Sequence, residues 1–145
     1  MDKELLDALL RPTSVAVIGA SATPGKIGYT VVSNLINEGY SGPIYPINPS
    51  ATEILGLKVY PSISDVPGPI DAAVITIPAK YVAQSLEECG KKGVKGLIII
   101  TSGFSESNRR DLEDELVQIA RSYNMRILGP NIVGTLSNAD KLNAS

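Results

Sequence analysis

Residues 19–28 read Gly19, Ala20, Ser21, Ala22, Thr23, Pro24, Gly25, Lys26, Ile27 and Gly28. Their types and spacing suit the holding of an anion. Before them lies an apolar run (Val15, Ala16, Val17, Ile18), and after them a stretch with Val31, Val32, Leu35 and Ile36 at helical spacing. A loop that joins a buried strand to a helix presents free backbone N–H groups at the helix start, where the helix dipole favours negative charge. Small residues let the backbone approach a phosphate closely, and Lys26 adds a positive charge. The plainer reading is that the glycines only permit a tight turn. In an unbroken strand–loop–helix setting, phosphate binding is preferred.

Which phosphate ligand is a matter of spacing. Dinucleotide sites place an Asp or Glu roughly 20 residues after the glycines, to hold the ribose hydroxyls. That count from Gly28 falls on Asn48, and Asn48, Pro49 and Ser50 include no acid. The glycine spacing is also longer than G-x-G-x-x-G. Both points weaken an NAD site. A phosphorylated ribose, as in NADP or coenzyme A, disfavours an acid here.

The 145 residues include no His and a single Cys. Ser–His–Asp and Cys–His catalysis and phosphohistidine relays are thereby closed to this chain acting alone, and a metal site is disfavoured. Ser21 either donates to a phosphate or caps the turn; it has no base to make it a nucleophile. Cys89, in phase with Val82 and Leu86, reads as a buried core residue. Asp65 and Asp71 read as turn and strand-edge residues. Glu106 reads as a first-turn helix acid, with a polar role near a ligand as the alternative. Arg109, Arg110, Asp111, Glu113, Asp114 and Glu115 read as a solvated helix face.

Thirteen Lys+Arg against 15 Asp+Glu give a net charge of −2, which argues against a nucleic-acid partner. A lone cysteine fits a reducing compartment. The apolar runs are far shorter than the roughly 20 residues a bilayer requires. With no basic, apolar leader, the expectation is a cytoplasmic protein without membrane contact.

The elements that must position the loop follow from periodicity. Residues 2–10 read as a short helix within an N-terminal segment 1–12, and Pro12 stops it. Strands are expected at 14–19, 44–48, 72–77, 96–101 and 126–128, with a short one near 57–60. Helices are expected at 28–38, from Pro78 to about Cys89, and at 108–123. Gly39 ends the first helix; Gly90 and Gly93 end the second. Pro46 cannot donate to a central ladder, so only one side of its strand should be fully paired. Strand and helix alternate, which implies an α/β, Rossmann-like doubly wound fold with a mostly parallel sheet and helices on both faces. The core is expected over 13–134. The tail 135–145 reads as a tail or a linker to a missing domain.

The ordered motifs resemble those of a known family. They are Val15-Ala16-Val17-Ile18-Gly19-Ala20-Ser21 with Pro24-Gly25-Lys26-Ile27-Gly28, then Tyr45-Pro46-Ile47-Asn48-Pro49, Gly56 with Tyr60-Pro61-Ser62, Asp71-Ala72-Ala73-Val74-Ile75-Thr76-Ile77-Pro78-Ala79, Ser102-Gly103-Phe104-Ser105-Glu106, and Gly129-Pro130-Asn131 with Gly134. The chain is similar to the N-terminal coenzyme A-binding domain of ADP-forming acyl-CoA synthetases, themselves similar to the succinyl-CoA synthetase α subunit. The resemblance covers residues 12–134. It implies that the 19–28 loop holds the phosphates of coenzyme A or an acyl-CoA, and that Asn48, Pro49 and Ser50 lie beside the adenosine. It places Ile77, Pro78 and Ala79 at the adenine, and Ser102, Gly103, Gly129, Pro130 and Asn131 nearer the thiol. Ser50 stands where the family often has Lys, and Lys58 or Lys26 is the candidate replacement. The resembled enzymes work through an acyl phosphate and a phosphorylated histidine. The resemblance therefore implies a further ligase domain with that histidine, and an ATP-grasp partner. The isolated domain is expected to bind without turnover. Three alternatives stand beside this one: the coenzyme A-binding regulatory domain of a protein acetyltransferase, a stand-alone coenzyme A-binding protein, and an NAD(P)-dependent oxidoreductase.

Overall fold

The computed structural model describes residues 11–100, 110–128, 136–137 and 142–143. In chain order the elements are β1 (Val15–Ile18), α1 (Ile27–Asn37), β2 (Ile44–Ile47), β3 (Glu53–Ile54), β4 (Leu57–Lys58), a 3₁₀ turn (Ile63–Asp65), β5 (Ala72–Ile75), α2 (Ala79–Lys92), β6 (Gly96–Ile99), α3 (Arg110–Ser122) and β7 (Arg126–Leu128). In the tail, β8 (Leu136–Ser137) pairs antiparallel with β9 (Leu142–Asn143). The expected helix at 2–10 lies outside the described residues.

Five strands form one parallel sheet in the order β2-β1-β5-β6-β7. Every residue of β1, β5 and β6 is buried, which is why these strands read as continuous apolar runs. Alternate residues feed two cores. Ala16, Ile18, Ala73, Ile75, Leu97 and Ile99 pack with Val82, Leu86 and Cys89 of α2 and Leu116 and Ala120 of α3. Val15, Val17, Val74 and Ile98 pack with Val31, Val32 and Leu35 of α1. Helices thus cover both faces, α1 on one side and α2 with α3 on the other.

From β1 the chain moves outward to β2, then returns to the other side of β1 for β5. The connections therefore diverge between β1 and β5, the switch point where doubly wound folds open a crevice at the strand C-terminal ends. Pro46 sits on the outermost of the five strands, as its missing N–H requires. Val15 and Gly19 donate to the carbonyls of Pro43 and Ile47, so the nitrogen of Pro46 points away from β1. Its carbonyl accepts from Tyr60 N–H at 3.0 Å, and Tyr60 forms a single parallel bridge with Ile47.

One boundary is corrected. Gly90 does not end α2; it lies inside a helix that runs on to Lys92. A Cβ on Gly90 would stand 2.2 Å from Cγ of Tyr123, so glycine is there to admit that ring. Gly93 is the terminator, at φ +91° with its N–H bonded to the carbonyls of Cys89 and Gly90. The strand β5 stops at Ile75, two residues earlier than expected; Thr76 still bonds the Ile18 carbonyl through its N–H and hydroxyl, and Pro78 then opens α2.

Candidate functional site

The loop after β1 is folded onto the start of α1 by two glycines. Gly19 has φ +92°, and a Cβ there would stand 2.4 Å from Oγ1 of Thr76. A Cβ on Gly28 would stand 2.0 Å from the carbonyl oxygen of Gly19. The second residue of the helix therefore rests directly on the first residue of the loop, and no side chain fits between them. Lys26 is the N-cap; its side chain makes no capping bond, no other side chain among the described residues is seen to cap the helix, and no acid stands in its first turn. The helix start thus keeps its unpaired N–H groups and its positive dipole end.

A cleft of about 380 Å³ opens here, lined by Gly19, Ala20, Ser21, Gly25, Lys26, Ile27, Gly28, Asn48 and Thr76. Its volume lies within the range of small-molecule sites. Lys26 is the charged residue among these nine, and none is acidic. Ser21 Oγ accepts from Thr23 N–H at 3.0 Å, so its oxygen caps the turn while its hydroxyl proton stays available to an acceptor. Asn48 bonds through both ends of its amide. Its Nδ2 donates to the Ala20 carbonyl at 2.8 Å, and its Oδ1 accepts from Ser50 N–H at 2.7 Å and Ala51 N–H at 2.9 Å.

The remaining expected residues fall around this cleft or outside view. Pro24 is exposed at the loop tip, and Pro49 and Ser50 are exposed in the turn after β2. Ile77 reaches the loop: its Cγ2 lies 3.0 Å from where a Gly19 Cβ would be. Pro78 is the N-cap of α2 and Ala79 its first residue. None of these six lines the cleft. Ser102, Gly103, Gly129, Pro130, Asn131, Glu106 and Arg109 lie outside the described residues. Of the two candidate cations, Lys26 lines the cleft, whereas Lys58 sits 5.2 Å above the Tyr60 ring.

Thr76 lines the cleft without having been expected there, and Ile27, inside the expected loop, was not singled out. For Thr76 the available signal was its place as the first polar residue after an apolar strand. Ile27 is an apolar side chain left 54% exposed at a helix start.

The other candidates settle elsewhere. Cys89 is buried, and desolvation, with Glu88 adding to it, pushes its thiol up to about 12. It stays protonated at neutral pH and is no nucleophile. Asp71 works at the opposite, N-terminal edge of the sheet, where its Oδ2 accepts from the N–H and hydroxyl of Thr13 at 2.9 and 2.7 Å. Asp65 is exposed in the 3₁₀ turn. Among the described residues no cluster of His, Cys, Asp or Glu is placed to hold a metal, and no helix is long and apolar enough to cross a membrane.

Comparison with known proteins agrees with this geometry. The family described as "CoA binding domain" matches residues 13–137. The acetate–CoA ligase [ADP-forming] I subunit alpha of Pyrococcus furiosus is 54% identical over 97% of this chain and 32% of that subunit. The acetate–CoA ligase [ADP-forming] of Methanocaldococcus jannaschii is 52% identical over 92% of this chain and 19% of that protein. Among solved structures, the dinucleotide-forming acetyl-coenzyme A synthetase 1 of Candidatus Korarchaeum cryptofilum, in complex with phosphate and ADP, superposes with a TM-score of 0.95 at 49% identity. That match covers 98% of this chain and 31% of the solved one. The chain spans a third or less of the length of these relatives. With a matching family profile over most of its residues and a parallel sheet that opens a phosphate-type loop at its switch point, the chain belongs to the CoA binding domain family, in the form carried by ADP-forming acyl-CoA synthetases.

Proposed function

We propose that the 19–28 loop and the start of α1 hold the phosphates of coenzyme A, as the coenzyme A-binding part of an ADP-forming acid–CoA ligase. The observation that carries this reading is the acid-free, uncapped helix start with Lys26 beside it, at the sheet switch point. Asn48 supports it too: where an NAD site holds an acid, this chain holds an amide committed to its own backbone. Ile27 offers an apolar wall to an uncharged part of the ligand.

Turnover of an acyl-CoA with ADP and phosphate would use groups this chain lacks. It holds no histidine to carry a phosphoryl group. A following domain with that histidine and an ATP-grasp unit complete the proposed enzyme. The isolated chain binds coenzyme A and does not turn it over.

Calorimetric titration of the chain with coenzyme A, dephospho-coenzyme A and NADP tests the reading. Coenzyme A is expected to bind more tightly than NADP. Equal or tighter binding of NADP would contradict the proposal and favour an oxidoreductase.

A further inference from the structure

The two strands that flank β1 each send a side chain to a carbonyl in or next to the loop. From the end of β5, Thr76 donates its hydroxyl to the Ile18 carbonyl at 3.0 Å, beside its own N–H at 2.9 Å. From the end of β2, Asn48 donates to the Ala20 carbonyl at 2.8 Å. Between them, the Gly19 carbonyl oxygen is covered by Gly28, where a Cβ would approach to 2.0 Å. The carbonyls of Ile18 and Ala20 are thus hydrogen-bonded, and that of Gly19 is packed against the helix. By contrast, the N–H groups of Ala20, Ser21 and Gly25 have no partner among the described residues.

A carbonyl oxygen is the negative end of the peptide dipole and repels a phosphate, whereas successive free N–H groups attract one. We propose that Asn48 and Thr76 are positioning residues of the anion loop: by occupying its carbonyls they leave the N–H groups as what the loop offers to phosphate. The inference rests on the reading that coenzyme A binds here, and adds to it two cleft residues that act through the loop. It also gives Asn48 a reason to be an amide. The Oδ1 bonds to Ser50 and Ala51 suit Asn and Asp equally. Only Asn donates to Ala20, and Asp would add a negative charge to the cleft wall.

Two substitutions at Thr76 separate this role from simple packing. Thr76→Val keeps the branched shape and loses the hydroxyl; Thr76→Ser keeps the hydroxyl and loses the methyl. Calorimetric titration of the 145-residue chain with coenzyme A is expected to show Thr76→Ser near the unsubstituted affinity and Thr76→Val weakened about fivefold, the size of one net hydrogen bond. Asn48→Asp is expected to weaken coenzyme A roughly 30-fold, the lost bond and the added charge acting together, with no gain for NAD. If Thr76→Val matches the unsubstituted chain while Thr76→Ser is the weakened one, Thr76 acts by packing and the inference is overturned. Coenzyme A binding to Asn48→Asp at full affinity overturns it as well. If the unsubstituted chain fails to bind coenzyme A, the proposed function falls and takes this inference with it. Binding by the unsubstituted chain with flat variants removes the inference alone.

Discussion

Gly28→Ala is expected to abolish measurable coenzyme A binding and to destabilise the domain by about 2–4 kcal/mol, in the upper range for an overpacked, strained site. The new methyl would stand 2.0 Å from the Gly19 oxygen, 2.8 Å from its carbonyl carbon and 2.9 Å from Cα of Ala20. All three are backbone atoms, so no rotamer change relieves the overlap. The loop must lift from the helix or the first turn of α1 must unwind, and either change dismantles the anion site. Thermal unfolding with calorimetric titration checks both effects, and a fall of roughly 10 °C in Tm is the expected scale. Gly25→Ala is the control. Gly25 also has positive φ, +96°, but a Cβ there meets nothing within 4 Å. Its cost is limited to backbone strain of about 1 kcal/mol, and binding should survive.

Leu86→Ala is expected to destabilise the domain by about 2–5 kcal/mol while leaving the coenzyme A affinity of the folded chain unchanged. Leu86 is fully buried on α2, in the core between that helix and the sheet, and it does not line the cleft. Its truncation leaves a cavity in a rigid layer, where the strands on one side and α3 on the other restrict collapse. Denaturant unfolding gives the stability loss, and titration well below the transition gives the affinity. The two substitutions together separate what holds the fold from what holds the ligand: one acts on stability alone, the other on both.

How much of this could be read from residue order depends on where the cause of each feature lies. The strands β1, β5 and β6 were legible because burial on both faces writes itself as unbroken apolar runs. Pro46 was legible for the same local reason: a residue without an N–H belongs at a sheet edge, and β2 occupies one among the five strands. The loop could be read because its small residues sit between a strand and a helix, and that loop, residues 19–28, supplies seven of the nine residues lining the cleft. Gly90 was misread because its reason is the Tyr123 ring, brought against it by the packing of α2 on α3. Thr76 was passed over because apolar periodicity marks where a strand runs, not what the first polar residue beyond it touches. Asn48 was singled out for the acid it is not; its hydrogen bonds to the loop and to its own turn came only with the fold. Lys58 and Lys26 read as equal candidates for the charge absent at Ser50, and residue order does not show that one lies over an aromatic ring and the other lines the cleft.

The absence of histidine takes on a definite meaning in this setting. The sequence holds no histidine, so the phosphohistidine step of the enzyme proposed above would need one from outside these 145 residues.

The central claim is that coenzyme A binds through the loop at the β1–β5 switch point. The most direct measurement is a backbone amide NMR titration of the chain with coenzyme A. The expected result is that the largest shifts fall on Ala20, Ser21 and residues 25–28, with the N-terminal sheet edge around Thr13 and Asp71 unmoved. Shifts confined to that opposite edge, or a loop that stays silent while coenzyme A binds, would contradict it.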